Sequence, residues 1–289
     1  MKTLASVKKD LEFNCGLSSL IEVLKNIAVS QYRILEHRIR VFEKFMLSIN
    51  TFFEFIDFSQ TNHPFLVNQA KPQAVVAITS DSGMLGGLNM QVVTKAIVEL
   101  EKSPGQLIVI GERGKIYVLE SGLPFVAFPG IKDEDRYPQA MQLRDYLITK
   151  ALKGAFGNLK VVYPHPVSFT VQRVEMVTFL PFSPTLAGET GQSEDRLAVA
   201  SGGKDIILES RLDDAIEYLI YLWIGQRLYD LFGLSRLAEF AARYVHLEES
   251  LQKLKEIDVK LRLEYFRIRH ELIDRNMREL FSARLLYAG

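Results

Sequence analysis

A glycine-rich motif is the strongest chemical signal in the sequence. SDSGMLGGLN, residues Ser80–Asn89, follows a short apolar run and precedes a helical pattern. Backbone N–H groups at a strand-to-helix turn can hold an anion such as a phosphate. The motif lacks the Gly-x-Gly-x-x-Gly spacing, and it lacks the terminal Gly-Lys-Ser/Thr of phosphate-binding loops. Nucleotide binding is therefore only weakly indicated.

The same motif also has a structural interpretation. Gly83, Gly86 and Gly87 allow a tight turn and close packing of the backbone, because glycine lacks a Cβ atom. Asp81 is placed to cap local backbone N–H groups. We predict that these four residues shape a turn and hold no ligand.

The remaining residue types give no catalytic constellation. The five histidines show no i, i+4 pair, and Cys15 is the single cysteine, so we predict no metal site and no cofactor. No Gly-x-Ser-x-Gly elbow is present. The adjacent carboxylates Glu248 and Glu249 point apart on a helix, which suits solvation better than acid–base work.

Composition excludes several classes of protein. With 35 basic and 35 acidic residues the formal net charge is zero, which disfavours nucleic acid as the main partner. Hydrophobic residues make up 48% of the chain, enough for a real core. No apolar run reaches the length of a transmembrane helix, and the N-terminal residues do not resemble a signal peptide.

The distribution of proline indicates the architecture. All 10 prolines lie between Pro64 and Pro184, so both ends of the chain can form long helices. We predict an N-terminal helix from Ser18 to Phe58, and a helical region past Leu208 with a break near Gly233. The corresponding domains are residues 1–60, 70–200 and 208–289.

Both predicted helices carry coiled-coil spacing, with apolar steps of three and four residues. The predicted N-terminal seam consists of Leu20, Leu24, Ile27, Ile34, Val41, Phe45, Ile49, Phe52 and Ile56. The C-terminal seam lists Leu247, Leu251, Leu254, Leu261, Tyr265, Ile268 and Leu272, with Asp258 as an exception. The two helices either pack on a globular core or pair as an antiparallel coiled coil that projects from the middle domain.

The middle of the chain alternates between strand and helix patterns, which favours a parallel or mostly parallel sheet. The predicted strands are 74–79, 106–110, 125–128 and 159–163, followed by a β-rich stretch, 167–179. The predicted helices are 91–102, 115–121 and 141–152. A polar loop is expected at Ala187–Asp195.

The last helix mixes arginines with acidic residues and ends in an apolar tip that includes Leu280 and Phe281. Such a charged face is either solvated or a partner surface, since arginine is favoured at interfaces. The apolar tip favours a partner, because large exposed apolar patches are unusual.

Three segments resemble the gamma subunits of F-type ATP synthases. ITSDSGMLGGLN, Ile78–Asn89, is similar to the family's strand-turn-helix signature. Val161–Phe182 resembles its β-rich region, and Leu263–Leu280 resembles its C-terminal tip. The resemblance extends over nearly the whole chain. The departures are Ser82 and Leu85 within the motif, and a loss of positive charge in Leu20–Arg33.

The resemblance implies a fold class, α/β, with long N- and C-terminal helices that form an antiparallel coiled coil plus a Rossmann-like α/β middle domain. It implies a non-catalytic central-stalk rotor at the cytoplasmic face of the cell (inner) membrane, as a peripheral part of the complex. The implied partners are the alpha and beta subunits of the catalytic hexamer, the epsilon subunit and the membrane c-ring. The residues implied to contact the hexamer are Leu24, Ser30, Arg33, Arg269, Ile273 and Glu279.

Two other interpretations remain open on the residues alone. One is an α/β protein that binds a nucleotide at the Gly83–Gly87 loop. The other is a coiled-coil adaptor without a rotary function.

Overall fold

A computed structural model of the chain describes residues 3–39, 63–66, 71–182 and 211–287. It contains two compact units, Met1–Ser30 with Arg243–Gly289, and Gln31–Ala242. The helices are α1 (Leu4–Ile39), α2 (Leu88–Lys102), α3 (Glu112–Ser121), α4 (Arg136–Leu152) and α5 (Leu212–Tyr287). The strands are β1 (Gln73–Ile78), β2 (Gly105–Ile110), β3 (Phe125–Phe128), β4 (Asn158–Pro166) and β5 (Gln172–Leu180).

The strands of the larger unit form one five-stranded sheet in the order β3-β2-β1-β4-β5. β1 pairs in parallel with both β2 and β4, and β2 pairs in parallel with β3. β5 runs antiparallel to β4. The expected mostly parallel sheet and the Rossmann-like α/β class are therefore confirmed.

Alternation along the strands assigns each side chain to one of two cores, because successive residues point to opposite faces. Ala74, Val76 and Ile78 face a core built with α4 and α5. Val75 and Ala77 face a second core built with α2 and α3. The sheet is thus covered on both faces, which explains the nearly continuous apolar character of β1.

The helix boundaries differ from the predicted ones at the N-terminal ends. α4 begins at Arg136 instead of 141, because Pro138 falls in its first turn, where a missing N–H costs nothing. α2 and α3 each begin three residues earlier than expected. Within the predicted β-rich stretch 167–179, Val171 precedes β5 and is exposed.

α5 is a single helix of 76 residues, about 114 Å long at the usual helical rise. The predicted break near Gly233 is wrong. A helical glycine costs about 1 kcal/mol relative to alanine, but its neighbours Leu231 and Phe232 are buried in the core with α4 and the sheet. Burial of two large side chains outweighs that cost.

In the smaller unit, α1 and α5 pair as an antiparallel coiled coil. The Asn14 side-chain Nδ2 donates to the carbonyl oxygen of Leu254 at 3.2 Å. The Lys25 ammonium lies 2.8 Å from a Glu248 carboxylate oxygen. Residues farther along α1 therefore contact residues earlier in α5, so the two helices run antiparallel, as the predicted fold class states.

The predicted N-terminal seam is wrong in its register. The buried side of α1 carries Val7, Asn14 and Ala28 at multiples of seven residues, whereas Leu20 and Ile27 are exposed. Ile34, on the same predicted seam, is also exposed, and Leu24 is half-buried as expected. α1 also begins at Leu4, well before Ser18. Burial follows the face that α5 covers, and small or polar residues occupy it.

The predicted C-terminal seam is largely confirmed. Leu247 and Leu251 are buried, and the seam positions from Leu254 to Ile268, including Asp258, are half-buried. The prediction that Leu272 lies on the seam is wrong, since its side chain is 46% exposed. α5 at that point has passed the helical start of α1, so no α1 residue lies opposite.

Some predictions lie outside the described residues. They are the helix from residue 40 to Phe58, with its seam residues Val41, Phe45, Ile49, Phe52 and Ile56, and the polar loop Ala187–Asp195.

Neighbouring residues of α1 test the corrected seam. Ala28→Gln forces a larger polar side chain into the buried seam and should destabilise the coil by about 1–3 kcal/mol. Ile27→Gln, at an exposed position, should change its stability by less than about 0.5 kcal/mol. Amide hydrogen exchange of the full chain over 18–30 and 247–255 measures both. Equal effects of the two substitutions would contradict the seam.

A buried carboxylate is held by two lysines in the α/β unit. Glu99 of α2 accepts hydrogen bonds from Lys102 at 2.8 Å and from Lys160 of β4 at 2.5 Å. These bonds, that of Lys102 foremost, lower the pKa of Glu99 below its ordinary value of 4.5 despite opposing burial. The group therefore stabilises the fold above that value, and the contribution is lost as the pH falls through the lower folded-state pKa.

Glu99→Gln should lower the free energy of unfolding at neutral pH, because its bonds to the two lysines are weakened. The difference from the wild-type chain should shrink as the pH falls below about 4.5. Urea unfolding between neutral and acidic pH measures this, with Glu101→Gln as the exposed control. A difference that stays constant with pH would contradict the assignment.

Candidate functional site

The sheet has one crevice where doubly wound folds usually bind ligands. From β1 the chain moves through β2 to β3, and then returns to place β4 on the other side of β1. Ligands of such sheets bind beyond the carboxyl ends of the strands, where the strand order reverses. The glycine motif follows β1 directly, so its turn lies at this switch point.

The side chain of Asn89 closes the turn at this point. Its Oδ1 accepts the backbone N–H of Ser80 at 3.1 Å, and its Nδ2 donates to Ser80 Oγ at 2.9 Å. The Ser80 hydroxyl in turn donates to the carbonyl of Ser82 at 2.7 Å. Gly86 and Gly87 have φ of 58° and 91°, the left-handed region that favours glycine. The backbone N–H and the hydroxyl of Ser80 are therefore engaged within the turn by Asn89 and the carbonyl of Ser82.

Asp81 hydrogen-bonds to the start of α3 instead of capping N–H groups of its own turn. Its Oδ1 accepts the backbone N–H of Glu112, the first residue of α3, at 2.9 Å. A Cβ atom on Gly130 would lie 2.1 Å from the same oxygen, so a side chain there would displace the Asp81 carboxylate. A Cβ atom on Gly83 would lie 3.0 Å from the Arg113 guanidinium. The turn is thereby packed against the two neighbouring connections.

α5 fills the rest of the crevice. Ser235 and Glu239 of α5 line it together with Ser80, Asn89 and Pro164. Glu239 is buried, and its carboxylate accepts from Arg236 at 2.5 Å. A phosphate here would face this carboxylate, which is electrostatically unfavourable. The geometry therefore favours a structural turn over a nucleotide site.

The predicted hexamer-contact residues lie along the two long helices. Leu24 and Ser30 are on α1 in the smaller unit, half-buried and exposed respectively. Arg33 is exposed farther along α1. Arg269, Ile273 and Glu279 are exposed on α5, and Glu279 accepts a hydrogen bond from Arg275 at 3.1 Å.

The structure does not bring these residues together into one site. Lys25, next to Leu24, bonds to Glu248, and Arg269 lies about 30 Å farther along α5 by helical rise. Leu24 and Arg269 therefore belong to separate bands of the coiled coil. Arg269 and Ile273, four residues apart, share one face of α5.

Sequence reasoning missed the roles of Asn89 and Glu239. Asn89 ended the quoted motif, and a buried asparagine at a helix start is a usable signal of turn closure. Glu239 gave no signal, because the residues that line the crevice with it, such as Ser80 and Pro164, lie far away in sequence.

No group of three or more metal-binding side chains occurs within the described ranges. Nor does any helix among those residues have the length and apolar character needed to cross a membrane.

Comparison with known proteins identifies relatives over most of the chain. A family model described as ATP synthase matches residues 4–284. The ATP synthase gamma chain of Desulforudis audaxviator is 25% identical over 218 residues, which cover 74% of each chain. That of Bdellovibrio bacteriovorus is 23% identical over 293 residues, 98% of each chain.

Solved structures share the fold. The rotor of the Euglena gracilis mitochondrial ATP synthase matches with a TM-score of 0.66 at 17% identity, over 93% of this chain and 98% of that one. The central stalk and c-ring structure from Tetrahymena thermophila matches with a TM-score of 0.59 at 19% identity, over 80% and 99%. Long helices on an α/β unit are thus an architecture known from rotary assemblies.

Asn89→Ala tests the closed turn. The substitution leaves the buried N–H of Ser80 without a partner and removes one of the two bonds of its hydroxyl, which should cost about 1–3 kcal/mol in the free energy of unfolding. Gln91→Ala removes an exposed amide from the same helix and should be nearly neutral. Denaturant unfolding of the full chain compares the two, and a neutral Asn89→Ala would refute this role of the amide.

Proposed function

This chain belongs to the ATP synthase family, among its gamma chains, and from that premise we propose that it is the central-stalk rotor of a rotary F-type ATP synthase. It couples ion flow through a membrane ring to ATP synthesis or hydrolysis on a hexamer of alpha and beta subunits. The chain itself is not catalytic, because the chemistry takes place on the beta subunits.

One observation carries this function: the outer end of α5 exposes large apolar side chains. Leu272, Ile273, Met277, Leu280 and Phe281 are between 46% and 66% exposed. A run of this size is unfavourable in water and calls for an enclosing partner. A hexamer with a central hole supplies an enclosure of that kind.

Arginines border this apolar run. Arg267 and Arg275 are engaged by Glu271 and Glu279 along the helix, in pairs with N–O distances of 3.3 and 3.1 Å. Exposed ion pairs of this type contribute little to stability and can exchange for partner groups. The surface therefore combines apolar contact with exchangeable charges, as expected of a face that slides within an enclosure.

The two-helix coil is asymmetric, and this asymmetry supports the mechanism. α1 exposes Phe13, Leu20 and Ile27 along one side, whereas α5 exposes its own set, including Leu263 and Phe266. Three identical catalytic subunits around such a rod cannot all meet the same surface. Each orientation of the rod then stabilises a different conformation in each subunit, which is a coupling free energy between distant sites.

The hexamer contacts are proposed in two bands along the shaft. Leu24, Ser30 and Arg33 form the band on α1. Arg269, Ile273 and Glu279 form the band toward the end of α5. Their exposure supports this proposal for five of the six, and Leu24 is half-buried.

We assign residues 1–60 and 208–289 to the shaft, and residues 70–200 to the α/β domain. The α/β domain binds the epsilon subunit and the membrane c-ring. The complex is peripheral, and we place it at the cytoplasmic face of the cell (inner) membrane.

A pull-down of the tagged chain from its native membranes, with mass spectrometry and ATPase assays, tests the function. Recovery of alpha, beta and epsilon subunits with an ATPase activity that the isolated chain lacks is the expected result. Recovery of the chain alone, or as a homodimer, would favour the adaptor interpretation. Binding of ATP, GTP or NAD by the isolated chain would favour the nucleotide interpretation.

The double substitution Arg269→Ala with Glu279→Ala should reduce ion pumping per ATP hydrolysed, because both exposed side chains are proposed to meet the hexamer. The thermal stability of the isolated chain should change by less than about 0.5 kcal/mol, since neither side chain is buried. Pumping and hydrolysis are measured together on reconstituted complex.

The matched control removes one acid and one base from exposed positions of the α/β unit, Glu120→Ala with Lys153→Ala. Full coupling in the Arg269 and Glu279 double variant, equal to that of this control, would remove both residues from the proposed contact set.

A further inference from the structure

Three contacts centred on arginine connect α5 to α4 and to the loop that precedes α4. All of them lie inside the larger unit, on the core face of the sheet. We call this set the arginine ladder, defined by Arg144 with Tyr221, Arg136 with Tyr229, and Arg236 with Asp133.

The first rung joins Arg144 of α4 to Tyr221 of α5. The guanidinium carbon lies 3.6 Å from the centroid of the tyrosine ring, and its Nη2 donates to the tyrosine hydroxyl. That hydroxyl donates to Asp145 Oδ1 at 3.1 Å, and the same oxygen accepts from Arg144 Nε at 2.9 Å. Arg144 is therefore held by a ring face and a carboxylate at once, which fixes its orientation.

The second rung joins Arg136, the first residue of α4, to Tyr229. Arg136 Nη2 donates to the Tyr229 hydroxyl at 2.7 Å, and the guanidinium carbon lies 4.3 Å from the ring centroid. Arg136 is only 5% exposed. A buried cation over an aromatic ring gains more than an exposed one, because water competes less.

In the third rung the arginine lies on α5, whereas in the first two rungs it lies on α4. Arg236 of α5 forms two parallel bonds to Asp133, Nε to Oδ1 at 3.1 Å and Nη2 to Oδ2 at 3.0 Å. Its remaining nitrogen donates to Glu239 at 2.5 Å. Burial alone would lower the pKa of Arg236, but its bonds to Asp133 and Glu239 raise it overall, so the rung stays charged.

The spacing of the rungs is regular. The α5 residues 221, 229 and 236 are about two helical turns apart, so they share one side of the helix. Their partners, 144, 136 and 133, run in the opposite order. The ladder therefore follows an antiparallel contact of α4 and its leading loop with α5.

These contacts add directional resistance to displacement of α5 along its axis. The hydrophobic effect by itself is non-directional. Stacked guanidinium groups and two-pronged carboxylate bonds have fixed geometry, and displacement breaks them. The loop end of the ladder is itself fixed, because Gln139 Nε2 donates to Gly130 O at 2.9 Å and its Oε1 accepts from Lys132 N–H at 2.9 Å.

We propose that the arginine ladder is the torque connection of the rotor, holding α5 in register with the sheet while the shaft turns under load. This proposal rests on the proposed rotor function and assigns positioning roles to Arg136, Arg144 and Arg236. α5 continues as one helix to Tyr287, so force applied to its ladder segment is passed along the shaft.

The test replaces all three arginines by lysine in the full chain and reconstitutes the complex in vesicles. Lysine keeps each charge but loses the flat stacking and the two-pronged bond. The measurement is the steepest ion gradient that ATP hydrolysis sustains, beside the ATPase rate without a gradient. We expect the sustained gradient to fall by roughly twofold or more, with the unloaded ATPase rate retained.

The control replaces three exposed arginines of the same unit by lysine, Arg113, Arg173 and Arg211, and should sustain the wild-type gradient. A ladder variant that loses thermal stability but sustains the control's gradient would overturn the proposal and leave the rotor function intact. Failure of the wild-type chain to assemble or pump would instead overturn the rotor function itself.

If the triple variant does not fold, the outer rung gives a second test, since Asp133 is partly exposed. Asp133→Asn removes the charged, two-pronged partner of Arg236 and leaves the bond from Arg236 to Glu239 in place. A reduced gradient in this variant supports the ladder, and a gradient equal to that of the wild-type chain overturns it.

Discussion

Burial of one face of the sheet against α5 is the interaction on which the rest of this structure depends. Ile216, Ile220, Trp223, Ile224 and Leu228 complete the core that Val76 and Ile78 begin. Without them the sheet would expose a continuous apolar face to water, at about 25 cal/mol for each Å². The same helix then forms half of the coiled coil. One helix thus contributes to both compact units.

The same helix also packs at the glycine turn. A doubly wound sheet leaves a crevice at its switch point, and most such proteins fill it with a ligand. Here Ser235 and Glu239 of α5 occupy it, and Asn89 satisfies the free N–H of Ser80. The chain keeps the strand-turn-helix geometry, and Ser80 at its start is hydrogen-bonded to Asn89 of the helix that follows. Gly86 and Gly87 adopt the positive φ angles of that turn, which glycine favours.

The coiled coil places small and polar residues in its seam and large apolar residues outside it. Asn14 and Ala28 occupy the internal seam, and larger apolar side chains such as Phe13 and Ile27 lie outside. An isolated coiled coil would be more stable with the opposite arrangement. The arrangement suits a rod whose outer surface is also an interface, because apolar area is then available on every side. An apolar residue that lies on the outer surface of the coil cannot also stabilise the seam between the two helices.

The sequence by itself determined the layout of the fold and its family. Confinement of proline between Pro64 and Pro184 indicated helical ends, strand and helix patterns alternated between them, and the Ile78–Asn89 motif carried the resemblance. Only the tertiary structure decided which face of α1 is buried, because periodicity defines a stripe but the partner helix selects it. Likewise, the partners of Asp81, Arg136 and Arg236 lie 31, 93 and 103 residues away in the chain. Local patterns carry no information about contacts at that separation, since packing of the sheet and α5 creates them.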